Sequence, residues 1–259
     1  MTLWGTVTWD VARAGGFTAY LLTALSVATG LALTVQWQSP RWPRLVNSEL
    51  HNFLTLLALI FTGVHILAVW LDPFTRFGWA EVFIPFLSHY RPLWMALGIV
   101  GLYLALAVGL STWLRSRIGY VWWRRLHLLT LATYALVTVH GLGNGSDTRT
   151  WWGALIYAAS VVLIGSLLAL RLLFPAGQGK RHPLAAGVTA LAILGLGIFA
   201  ALGPLQPGWN IFANNGQGSG ARNDVAAPPA ARAATDPFGA AFTAYVEPTM
   251  TATAPGASE

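Results

Sequence analysis

The sequence predicts an all-α integral membrane protein, a six-transmembrane-helix bundle followed by a disordered extracytoplasmic C-terminal tail. Three observations carry this expectation. Hydrophobic residues make up 55% of the 259-residue chain and charged residues only 9%, where ordinary soluble domains carry about 25% charged residues. The few charges sit at the edges of long apolar runs, each close to the roughly 20 residues a helix needs to cross the hydrocarbon while satisfying its own backbone. Many tryptophans, among them Trp37, Trp42, Trp70, Trp94, Trp113, Trp122, Trp123, Trp151 and Trp152, fall near the ends of those runs, where amphipathic rings favour the headgroup zone.

The first run, 16–36, follows Asp10 and Arg13. Those charges leave no short apolar core with a small-residue cleavage site, so the run is expected to be a permanent span. Pro40 and Pro43 separate it from the second span, 49–71, and Pro73, Pro85 and Pro92 mark a longer loop before the third, 93–113. The fourth and fifth spans are expected at 123–142 and 152–174, and Pro175, Gly177 and Gly179 break the chain before the sixth, 183–202. Proline and glycine punctuate helices because one lacks an amide proton and the other stiffness. A membrane domain over 1–204 is therefore expected. Residues 205–259 are rich in Ala, Gly, Pro, Thr and Asn, which reads as a low-complexity tail disordered by itself. Its Phe238, Phe242, Tyr245 and Val246 are the side chains available for docking on a partner.

The formal net charge of +6 does not point to nucleic acid, because the basic residues lie in short loops between spans. With six spans, the first, third and fifth loops share one face, and nine of the 15 basic residues fall there: Arg41, Arg44, Arg115, Arg117, Arg124, Arg125, Arg171, Lys180 and Arg181. By the positive-inside rule this face is cytoplasmic, which places both termini outside a cell membrane. The chain has no cysteine, which excludes disulfides, thiolate metal sites, iron–sulfur clusters and covalent haem attachment.

Four of six histidines lie in two spans: His51 and His65 in the second, His127 and His140 in the fourth. An ionisable group at membrane depth is costly and is by default functional. Fourteen residues separate the first two, which returns them to within about 40° of one face, roughly 21 Å apart along the axis. The second two are thirteen residues apart, roughly 20 Å, but some 140° apart in azimuth on an ideal helix. Local tightening toward 3₁₀ geometry, a skewed ring approach or a bent first turn is expected there. The two spans run in the same direction, so His51 is level with His127 and His65 with His140. Two facing imidazoles at each level suit six-coordinate haem iron, which implies two haem b groups. Zinc fits less well, since its sites gather three or four protein ligands in one shell. Haem propionates pair well with guanidinium groups. The candidates are Arg44, Arg124 and Arg125 near the inner pair, and Arg91 and Arg149 near the outer pair. His89 reads as an exposed loop residue.

Three segments, LHNFLTLLALIFTGVH, IPFLSHYRPLWMALG and LRSRIGYVWWRRLHLLTLATYALVTVHGLGNGSDTR, resemble the ferric reductase-like transmembrane domain. That family includes ferric reductases, NADPH oxidases and the haem membrane subunit of a bacterial methionine sulfoxide reductase system. The resemblance covers about residues 45–175. It implies that His51 and His127 bind an inner haem, His65 and His140 an outer one, and that electrons move outward. Eukaryotic members append a cytoplasmic flavin and nicotinamide domain. Here no G-x-G-x-x-G follows a strand, so the expected donor is a separate flavoprotein or quinol, and the expected acceptor an extracytoplasmic redox partner docking near the tail. The alternative is a structural or anchoring subunit of a larger membrane redox complex.

Overall fold

A computed structural model describes residues 3–35, 43–73, 76–175 and 180–209. The chain divides into two units, Met1–Gln217 and Gly218–Glu259, the second wholly outside the described residues. Also outside them are Trp37, Pro40, Arg41, Trp42, Gly177 and Gly179, and the tail segment with Phe238, Phe242, Tyr245 and Val246. Among the described residues, regular structure is helical throughout: α1 (Leu3–Thr34), α2 (Arg44–Leu71), the short α3 (Trp79–Phe83), α4 (Pro92–Trp113), α5 (Arg115–His127), α6 (Leu129–Asn144), a 3₁₀ turn (Ser146–Arg149), α7 (Trp151–Leu173) and α8 (Pro183–Leu202). Six helical segments are long and apolar enough to span a bilayer, α5 and α6 together forming the fourth. The protein is a six-span membrane bundle. We refer to the face where α1 begins and α2 and α6 end as the N-terminal face.

Two boundaries differ from expectation for identifiable reasons. α1 begins at Leu3 rather than at residue 16, because the two charges ahead of the expected start are accommodated: Arg13 lies 3.7 Å from Asp10 and its guanidinium pairs with Asp147. The membrane unit also runs past residue 204. Trp209 is buried, donates its indole N–H to the Gly143 carbonyl (3.0 Å) and packs against Trp94 and Phe199.

α1 lies antiparallel along α2 with small residues at the contact. A Cβ built on Gly15 would stand 3.4 Å from the His65 backbone nitrogen, and one on Gly30 3.3 Å from the His51 ring. Helices approach this closely in lipid through small residues, since packing rather than hydrophobic transfer drives association there. The outer faces are apolar. On α2, Phe53, Ile60, Leu67 and Leu71 form a lipid-facing stripe at helical spacing, and α8 exposes Leu184, Leu191, Leu194 and Leu202.

A buried polar cluster ties α1, α6 and α7 together at mid-depth. The Tyr20 hydroxyl meets Ser160 Oγ at 2.5 Å and Tyr134 at 3.3 Å, and Tyr134 meets Ser160 at 3.0 Å. Interhelical hydrogen bonds in membranes average about 0.6 kcal/mol and reach about 1.7. Ser160→Ala is therefore expected to lower stability by about 0.6–1.7 kcal/mol in reversible unfolding from mixed micelles, and Ala24→Ser in the neighbouring apolar core to give no comparable gain.

Candidate functional site

One continuous cavity of about 620 Å³ runs through the bundle, walled mainly by α1, α2, α4 and α6, and all four span histidines line it. They form two levels. His51 and His127 face each other with ring centres 6.1 Å apart and planes inclined at 72°. His65 and His140 line the cavity at the other level.

Neighbouring backbone fixes the rings. His65 Nδ1 lies 2.7 Å from the Ala12 carbonyl, His140 Nδ1 2.8 Å from the Trp94 carbonyl and His51 Nδ1 2.8 Å from the Ser26 carbonyl. A carbonyl has no proton to give, so each Nδ1 carries the hydrogen and each Nε2 keeps its lone pair. In all three cases the residue four positions after the accepting carbonyl is glycine: Gly16 after Ala12, Gly98 after Trp94 and Gly30 after Ser26. Residues four apart lie on one helix face, so a side chain at the glycine would cover the carbonyl the imidazole must reach. The cover would be close. A Cβ on Gly98 would lie 2.5 Å from His140 Nδ1, and one on Gly16 2.9 Å from His65 Nδ1. These carbonyls and glycines escape sequence reading because their role depends on which helices become neighbours.

His127 is held differently. Its Nδ1 is buried with no partner among the described residues, and its ring stacks on Trp123, with centres 5.0 Å apart and planes at 30°. Trp123 donates its indole N–H to Thr112 Oγ1 (3.2 Å), and the Arg115 guanidinium lies 4.3 Å over its ring. The expected irregularity between His127 and His140 occurs at Leu128, where α5 gives way to α6. Leu128 N–H bonds to Arg125 O (3.2 Å) and Leu131 N–H to Leu128 O (3.1 Å). Both bonds span three residues instead of four, and each residue so tightened adds about 20° of turn, removing part of the azimuthal mismatch. The Thr130 hydroxyl donates to the His127 carbonyl (2.8 Å). Earlier in α5, Gly119 adopts φ +79°, a left-handed conformation open to glycine, and separates the first turn from the segment leading to His127.

None of the five expected arginines lines the cavity. Arg44, Arg124, Arg125 and Arg149 are exposed, and Arg125 lies over Trp122 at 5.1 Å. Arg91 is buried and donates to the Gly143 carbonyl (2.7 Å), bracing the end of α6. The guanidiniums that do line the cavity belong to Arg13, near the N-terminal face, and Arg171, near the opposite face. The selection by sequence took arginines next to the histidines along the chain, whereas Arg13 and Arg171 approach from other helices. Arg13 donates from Nε to Asp147 Oδ2 (2.9 Å) and from a second nitrogen to the other carboxylate oxygen, the two-point geometry that suits a guanidinium.

His89 lies outside the cavity and braces the segment before α4. Its Nδ1 is 2.5 Å from Glu81, which also accepts from the Gly78 amide at 2.9 Å. Burial acts to raise the Glu81 pKa, but these donors outweigh it and hold the carboxyl below its ordinary value. Compared with known proteins, the chain matches no family model, no curated protein and no solved structure.

Proposed function

We propose that the chain is a transmembrane diheme b-type cytochrome of the cell membrane, carrying electrons from the cytoplasmic or membrane side to an extracytoplasmic acceptor. The observation that carries this reading is the single cavity joining the His51/His127 level to the His65/His140 level. Two metal–imidazole bonds of about 2.0–2.1 Å, each with about 1.1 Å from nitrogen to ring centre, put ring centres roughly 6.2–6.4 Å apart across one metal ion. The His51–His127 spacing of 6.1 Å is close to that value. Among the described residues, no three His, Cys, Asp or Glu side chains gather as a metal site. An ion at either pair must bring its remaining ligands with it, as iron in a porphyrin does.

When bound at these pairs, haem supplies a one-electron couple that exchanges electrons without proton transfer to the protein. The chain's contribution is placement. α2 and the α5–α6 span set the two levels roughly 20 Å apart by helical rise, the carbonyls fix three imidazoles with Nε2 free, and apolar walls keep water out. In this reading Arg171 is the cavity-lining guanidinium that would meet a haem propionate, Arg13 being held by Asp147.

In this reading the N-terminal face, the one poorer in basic residues, lies outside, so that electrons enter near α5 and leave near Arg13 and Asp147. The ferric reductase-like resemblance implies the same direction. The donor in this reading is a separate flavoprotein or quinol, and the acceptor an extracytoplasmic redox partner.

The test is electron transfer across a sealed bilayer. With the full chain in liposomes, ferricyanide trapped inside should be reduced by membrane-impermeant dithionite added outside, and His65→Ala should slow this to the protein-free rate. Equal rates with and without the wild-type chain overturn the reading.

A further inference from the structure

The two histidine pairs are not equivalent, and the difference has a direction. At the His65/His140 level both imidazoles donate Nδ1–H to backbone carbonyls. At the His51/His127 level only His51 does, while His127 Nδ1 has no acceptor among the described residues. Donation to a carbonyl makes the imidazole more basic and more electron-rich, which favours the oxidised, more positive state of a bound metal.

Resting on the diheme reading above, we propose that the protein sets its two iron sites at different potentials through these contacts, with the His51/His127 site the more easily reduced. Trp123 is a positioning residue in this scheme, because its stacking on His127 replaces the carbonyl that orients the other three rings. The consequence is functional. An electron entering from the α5 side rests at the entry site until the acceptor draws it through the His65/His140 site. A hydrogen bond is worth about 0.5–1.5 kcal/mol net, so one missing bond alone corresponds to an equilibrium preference of about two- to tenfold.

The experiment is a spectroelectrochemical titration of the full chain in nanodiscs, repeated with His51→Ala, His140→Ala and Gly16→Ala. The wild type should titrate in two steps. The haem retained by His140→Ala should have the more positive midpoint, and the haem retained by His51→Ala the more negative one. Gly16→Ala, which crowds His65 Nδ1 at 2.9 Å, should move the lower step upward and leave the upper step in place. That variant decides the matter if either histidine variant fails to keep its remaining haem. Coincident midpoints, the reverse order, or a Gly16→Ala shift confined to the upper step or absent from both overturns the inference while leaving the diheme reading intact. A folded wild type without haem overturns both.

Discussion

Replacing either His65 or His140 with alanine is expected to lower the haem content from two groups per chain to one and to stop electron flow across the bilayer. The two ligands of one level act as a unit. Both are half-buried and line the cavity at one level, each held by a carbonyl of a different neighbouring helix, so neither vacancy can be filled by another described histidine. Haem content by pyridine haemochrome should fall equally in both variants, and the double variant should lose no more than either alone. His89→Ala should keep both haems, because His89 is bonded to Glu81 outside the cavity. Equal haem in the wild type and His65→Ala would be incompatible with the assignment.

The second large effect is expected at a residue with no functional group. Gly98→Ala introduces a Cβ 2.5 Å from His140 Nδ1 and 2.6 Å from its Cε1, a distance real side chains do not tolerate. The ring must turn away from the Trp94 carbonyl or the α4–α6 contact must open. Losing an outer-shell partner of a metal-binding histidine typically costs about 10–100-fold in affinity, so haem at this level should dissociate about 10–100-fold more readily in competition with apomyoglobin. Gly195→Ala is the matched control. Nothing lies within 4 Å of a Cβ there, and the change should be neutral or stabilising by roughly 0.5–1 kcal/mol, the helix-interior penalty of glycine. Similar haem loss in both variants would remove the carbonyl–glycine pairing from the account.

The division between what was legible in the sequence and what was not follows the range of the interactions. Six spans were legible because hydrocarbon thickness imposes long apolar runs, and the four histidines because ionisable groups inside such runs are rare. The tightening at Leu128 followed from a thirteen-residue interval that does not match an ideal helix. Long-range contacts were not legible. Asp147 is 134 residues from Arg13, and without that partner Arg13 read as a charge marking the membrane boundary, which delayed the expected start of α1. Trp209 read as the beginning of the tail because its acceptor, the Gly143 carbonyl, is 66 residues away. The propionate candidates followed the same logic: Arg124 and Arg125 adjoin His127 in sequence but face outward, while Arg171 reaches the cavity from α7.

The most direct test of the central claim is a dithionite-reduced minus oxidised absorption spectrum of the purified full chain, with haem quantified per chain. The account predicts the split-band signature of low-spin b-type haem at two groups per chain, each bis-histidine ligated. A well-folded preparation with haem available during expression that shows no such bands, or binds a single haem unaffected by either His51→Ala or His65→Ala, would contradict it.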